Sequence, residues 1–160
     1  MKQVSYLLNL LCVVGFVLLI NGFQSVNAQK KSDNDLVISL NQSFYTAFKD
    51  EDINKMDQVW SHSSFVSAIH PISKDVIIGW KGVRESFDGV FKNYTHIHIL
   101  SVNPVVHVEG NVAWVLCNED FSALQGDKPV KLFSAANNIF VKKSGKWLMV
   151  HHQATVPIQP

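Results

Sequence analysis

The chain has 160 residues, 47% of them apolar, and a formal net charge of +1, enough for one domain with a sizeable core. That near-balance argues against nucleic acid as a main partner, because no basic stripe is present to neutralise phosphates. The 17% of charged residues is low for a disordered or coiled chain and fits a compact, sheet-rich domain.

Residues 1–28 read as a signal peptide. Lys2 supplies a short basic start, Tyr6 to Ile20 is an apolar run broken by Asn9, and Val26-Asn27-Ala28 offers a cleavage site before Gln29. The run is shorter than the roughly 20 residues of a spanning helix. A secreted or periplasmic domain over residues 29–160 is expected, with no stable membrane insertion after cleavage; an uncleaved anchor is the alternative. The mature chain would keep Cys117 alone, so no internal disulfide is available and Cys117 reads as a small buried hydrophobe. Asn41-Gln42-Ser43 and Asn93-Tyr94-Thr95 match the glycosylation acceptor pattern.

Ser32-x-x-Asp35 has the form of a helix-start box. Leu36, Leu40, Phe44, Ala47 and Phe48 follow at helical spacing. Asp50-Glu51-Asp52 ends that helix and opens a shorter one with the stripe Ile53, Met56, Val59 and Trp60. Phe65 to His70 and Val76 to Ile78 read as short strands, and a third helix carries Val83, Phe87, Val90 and Phe91. From Thr95 the pattern changes to four β-rich runs, Thr95–Val108, Val112–Leu124, Val130–Lys142 and Lys146–Val156, separated by short turns. These form an antiparallel meander, bent at Asn103-Pro104. Ser134-Ala135-Ala136-Asn137-Asn138 puts small and polar side chains inside an apolar strand, which leaves space beneath it. Helices first and a curved meander after give an α+β domain, a cone with helices covering one face of the sheet.

Four pieces in order carry a resemblance to a known family. They are the helix pair ending Val59-Trp60; His70-Pro71 with Gly79-Trp80-Lys81-Gly82-Val83; Asn111-Val112-Ala113-Trp114-Val115; and Ala136-Asn137-Asn138-Ile139-Phe140, a turn, then Trp147 to Thr155. Together they resemble the nuclear transport factor 2-like superfamily, and within it SnoaL-like or ketosteroid-isomerase-like domains. The resemblance implies a cone-shaped α+β barrel, three N-terminal helices packed on a curved, mostly antiparallel sheet. It also implies homodimers packed through the sheet and an apolar pocket with a few polar groups. Members include isomerases, cyclases, dehydratases and epoxide hydrolases, and also binding domains without chemistry, so fold alone does not settle function. Related chains often end in three histidines or His-x-His; here the third place is Gln153. The isomerase set of an Asp base with Tyr and protonated Asp donors is not found on the expected strands.

On the last strand, alternation puts Trp147, Met149, His151 and Gln153 on one face and Leu148, Val150, His152 and Ala154 on the other. One of the two histidines must then point into the cone; the family's placement selects His151, with Gln153 beside it. A neutral imidazole there can serve as general base, donor or ligand anchor. Glu119 shares a strand face with Val115, Cys117 and Phe121; desolvation there would raise its pKa and suit acid/base work. The opposite face carries Trp114, Leu116 and Asn118, so which side is inward stays open. Asn138 matches the family's strand asparagine and would orient a ligand carbonyl or His151. His70 and Trp80 would line the mouth, and Tyr45 and Trp60 the walls.

His96-x-His98 has a spacing zinc can use, but no Cys, Asp or Glu lies nearby in sequence to complete a site, so no metal is expected. Nucleophilic triads, phosphate loops and dinucleotide fingerprints are absent from the sequence. The expected function is binding of a small, largely apolar molecule with cofactor-free acid/base chemistry of isomerase, cyclase or dehydratase type. The alternative is a non-catalytic binding or dimeric scaffolding domain.

Overall fold

The computed structural model describes residues 31–157; the signal-peptide reading of residues 1–28 lies outside them. Helix α1 (Asp33–Lys49) begins at the Ser32 cap, whose hydroxyl accepts from the Asp35 amide while the Asp35 carboxylate accepts from the Ser32 amide. Its buried face is Val37, Asn41, Phe44, Tyr45, Ala47 and Phe48. Phe44, Ala47 and Phe48 of the expected stripe are kept, while Val37, Asn41 and Tyr45 take the inward places and Leu36 is exposed and Leu40 half-buried. Burial leaves Asn41 unfit for a glycan, whereas Asn93 is exposed.

Asp52 caps α2 (Ile53–Val59) by accepting from the amides of Asn54 and Lys55. Strands β1 (Ser67–Ile69) and β2 (Ile77–Ile78) follow, and then α3 (Trp80–Asn93). Gly79 joins β2 to α3 at φ 83 while its amide donates to the Val66 carbonyl at 2.8 Å. That backbone suits glycine and few other residues. The Arg84 guanidinium on α3 donates to Asp57 on α2, fixing the two helices together.

The long strands are β3 (Thr95–Glu109), β4 (Val112–Gln125), β5 (Lys128–Lys143) and β6 (Lys146–Thr155). They pair antiparallel in sequence, and β1 adds to the free side of β6 in parallel, giving the order β2-β1-β6-β5-β4-β3. Ser144-Gly145, both at positive φ, make the two-residue turn between β5 and β6. The break at Asn103-Pro104 is a register shift between Val102 and Val105, with Asn103 at φ 51. Helices cover the concave face of this curved sheet, and the core lies between the two layers.

A second irregularity decides the site. The β5–β6 register runs from Lys143↔Lys146 to Phe140↔Met149 and resumes at Ile139↔His151. Val150 is therefore an extra residue, a bulge that reverses side-chain parity along the rest of β6. Trp147 and Met149 face the core before it; His152 and Ala154 face the core after it. The expectation that His151 points into the cone is corrected here: His152 does, and His151 and Gln153 lie on the outer face, each half-buried.

Phe44 is the hub of the core, packing edge-on against Tyr45, Phe48, Trp60 and Phe87. Asp33 anchors the start of α1 to the sheet, accepting from Lys142 Nζ at 2.7 Å and Trp147 Nε1 at 3.0 Å. No helix among the described residues is long and apolar enough to cross a membrane.

Candidate functional site

Between α1, α3 and the concave sheet lies an open-mouthed cavity of about 80 Å³. Phe48, Val90, Ile99, Phe121 and Leu132 make its apolar walls, and Pro71 and Ile72 stand at its rim. Its polar lining is His70, Tyr94, Glu119, Ser134 and His152.

Alternation along β4 places Glu119 inward with Ala113, Val115 and Cys117, which settles the face left open by sequence. On β5 the same face carries Ser134, Ala136 and Asn138, the patch of small and polar residues that makes room for the cavity. Glu119 is 3% exposed, Asn138 0% and His152 2%, so these polar groups must satisfy one another.

They do so in a continuous chain. Ser134 donates to Glu119 Oε2 at 2.8 Å and Tyr45 donates to Oε1 at 2.9 Å. The Tyr45 oxygen accepts from Asn138 Nδ2 at 3.2 Å, and the same amide donates to Asn41 Oδ1 at 2.7 Å. Asn138 Oδ1 accepts from His152 Nδ1 at 2.7 Å. An amide oxygen only accepts, so His152 carries its proton on Nδ1 and leaves Nε2 bare. His70 is fixed by similar logic. Its Nε2 lies 3.0 Å from Ser86 Oγ, whose own hydrogen goes to the Val83 carbonyl at 2.7 Å. His70 therefore donates through Nε2 and has a bare Nδ1.

Burial dominates the electrostatics. It pushes His152 down to about 3, with repulsion from His151 adding to the effect. His70 is pushed down to about 4 by burial and by His152, against the pull of Glu119. Burial raises Glu119, opposed by the hydrogen bonds from Ser134 and Tyr45 and by attraction to His70. The Tyr45 phenol is raised too, by burial and the neighbouring Glu119 and Cys117. At neutral pH the site thus holds two uncharged imidazoles, with His152 clamped between Asn138 and the Phe44 ring at 4.9 Å.

Of the residues singled out from sequence, Glu119 and His70 line the cavity, and Tyr45 and Asn138 lie behind its lining in the hydrogen-bonded chain. Trp60 is fully buried core, and Trp80 stacks on it at 6.0 Å, away from the cavity. His151 bonds to Ser67 at 2.8 Å instead, and Gln153 beside it bonds to His151 and to Thr155 on that outer face. His96 and His98 are both exposed, and no group of three or more potential metal ligands occurs among the described residues. Sequence reasoning missed His152, Ser134 and Asn41. His152 was hidden by the bulge, and Asn41 was noted only for its match to the glycosylation pattern, although it lies four residues from both Val37 and Tyr45 on a helix.

The SnoaL-like domain family model matches residues 37–159. A curated relative, the F-box protein SKIP8 of Arabidopsis thaliana, is 27% identical over 144 residues, covering 88% of this chain. The chain spans only 59% of that relative's length. Among solved structures, a candidate dehydratase of the NTF2-like family from Streptomyces avermitilis aligns with TM-score 0.73 and 24% identity, over 79% of this chain and 97% of its own. An NTF2-like superfamily protein from Salmonella enterica aligns with TM-score 0.73 and 19% identity, over 79% and 92%. A candidate aromatic-ring hydroxylase from Novosphingobium aromaticivorans reaches TM-score 0.70 at 18% identity, over 79% and 90%. At these identities the structural likeness speaks for the fold.

Proposed function

The chain belongs to the SnoaL-like domain family, and from that premise we propose that it holds a small, largely apolar molecule in its cavity and moves a proton on it without a cofactor. The observation that carries this reading is the bare Nε2 of His152, a neutral imidazole whose opposite nitrogen is fixed by Asn138. A base needs a lone pair directed at the substrate and a partner holding its tautomer. His152 takes the proton at Nε2, and Nδ1–H stays on Asn138. Glu119, raised by burial, is the second acid/base group, giving isomerase, cyclase or dehydratase chemistry the pair it requires. In this reading residues 1–28 export the domain.

The outer sheet face favours a second property. Leu100, Val105, Leu116 and Phe133 are all exposed there, and apolar side chains gathered on one face suit a protein contact. We propose that two copies pair through this face, which leaves both cavities open.

The deciding experiment is a histidine-resolved magnetic resonance titration of His151→Ala and His152→Ala proteins against a panel of small apolar ligands. His151→Ala keeps ligand-induced shifts at His70, and His152→Ala abolishes them or weakens binding about tenfold or more. If no ligand in the panel perturbs His70 or His152 of the unaltered protein, the cavity reading falls and a purely scaffolding role takes its place.

A further inference from the structure

Of the polar groups lining the cavity, most can only accept. His152 gives its one ring hydrogen to Asn138, and His70 gives its own to Ser86. The Ser134 hydrogen is committed to Glu119, whose two oxygens already accept from Ser134 and Tyr45. Tyr94 carries the one lining hydroxyl that donates to no protein group among the described residues. Two imidazole nitrogens, His70 Nδ1 and His152 Nε2, are left without a protein partner among the described residues, on rings whose centroids lie 6.4 Å apart. Both rings line the cavity, where a bound molecule or water can supply the hydrogen.

Resting on the cavity reading above, we propose that the molecule taken is an uncharged hydrogen-bond donor, a small alcohol, enol or phenol, whose hydroxyl donates to one of these two imidazoles. No Lys or Arg among the described residues lines the cavity, so carboxylates and phosphates would be desolvated there without a countercharge and are refused. A cation meets acceptors in the imidazoles and Glu119, but it must give up its hydration against Phe48, Val90, Ile99 and Leu132 to reach them, which disfavours it against an uncharged donor. A cavity of about 80 Å³ with an open mouth admits one small ring or a short alkyl chain. A site built to pair a hydroxyl discriminates strongly against the analogue lacking it, because its own acceptors are then stranded.

The test is the affinity of the unaltered protein for four probes of similar size: phenol, toluene, benzoate and benzylamine. Phenol is expected to bind about tenfold or more tighter than toluene, despite toluene's greater apolarity, with benzoate and benzylamine weaker than both. On phenol binding the Nε2 or Nδ1 resonance of His152 or His70 shifts toward the hydrogen-bonded range. His70→Phe, a change at the cavity's half-buried side, reduces the preference for phenol over toluene. Toluene binding as tightly as phenol would overturn the donor proposal while leaving the apolar cavity standing. Tighter binding of benzoate or benzylamine would overturn it too. Failure of all four to bind would instead sink the cavity reading on which it rests.

Discussion

Strands β4 and β6 sit in one sheet and obey the same pleat, yet only one keeps its parity. In β4 alternation runs unbroken, with Ala113, Val115, Cys117 and Glu119 buried and Val112, Leu116 and Asp120 exposed between them. In β6 the pleat is reset at Val150, so Met149 and His152 share a face although three residues apart. The bulge lies within Trp147-Leu148-Met149-Val150, an unbroken apolar run with no alternation to read. Inward residues can be assigned from pattern where polar and apolar positions alternate, and not where both faces are apolar.

The largest effect is expected from adding one residue to β6. Inserting an alanine between Val150 and His151 keeps the Val150 bulge and turns His151 and Gln153 into the core in place of His152 and Ala154. A loss of about 4 kcal/mol or more in urea unfolding is expected, against about 0.5 kcal/mol for an exposed change in unbulged β4 such as Asp120→Asn. Stability retained on insertion would mean that the register does not set which histidine faces inward.

Acid comes next. His152 and His70 are held neutral with folded values of about 3 and about 4, below the unfolded value of about 6.5. The unfolded chain therefore binds more protons as pH falls below about 6.5, and stability drops through that window toward about pH 4. The raised carboxyl of Glu119 acts in the opposite sense, stabilising the fold as pH falls through its range. Asp35 and Asp50, both lowered by hydrogen bonds, also lose stabilisation in acid. Thermal denaturation from about pH 7 to about pH 4.5 is expected to show a net loss on the order of 2 kcal/mol, and His152→Gln should flatten it.

A further effect, comparable to that of acid, separates two neighbours on β5. Asn138→Ala strands the Nδ1–H of His152 and the Oδ1 of Asn41 and should cost about 2–3 kcal/mol. Asn137→Ala, on the outer face with an amide oxygen that has no partner, should cost under about 1 kcal/mol or stabilise. Equal costs in chemical denaturation would remove Asn138 from the polar chain proposed to hold the base.

Much of the architecture was legible because its signals are local. The Ser32 box, the Asp52 cap, the Ser144-Gly145 turn and the break at Asn103-Pro104 each act over a few residues, and each is found where the sequence placed it or within a residue or two. The site was legible only in part. Glu119, Asn138, Tyr45 and His70 were named as candidates, but Trp60 was assigned to a wall and Trp80 to a mouth that they do not form. Aromatic residues at helical spacing carry the same signal whether they face a cavity or each other.

By itself the sequence determined the order of helices and strands, their ends, and the stock of polar side chains available to a mostly apolar interior. The tertiary structure alone decided which histidine faces inward and which atoms remain unpaired. The bonds responsible join His152 to Asn138, Tyr45 to Glu119 and Asn138 to Asn41, 14, 74 and 97 residues apart. Such partners meet only after the sheet has curved and α1 has docked, and one extra residue at Val150 is enough to exchange one imidazole for its neighbour.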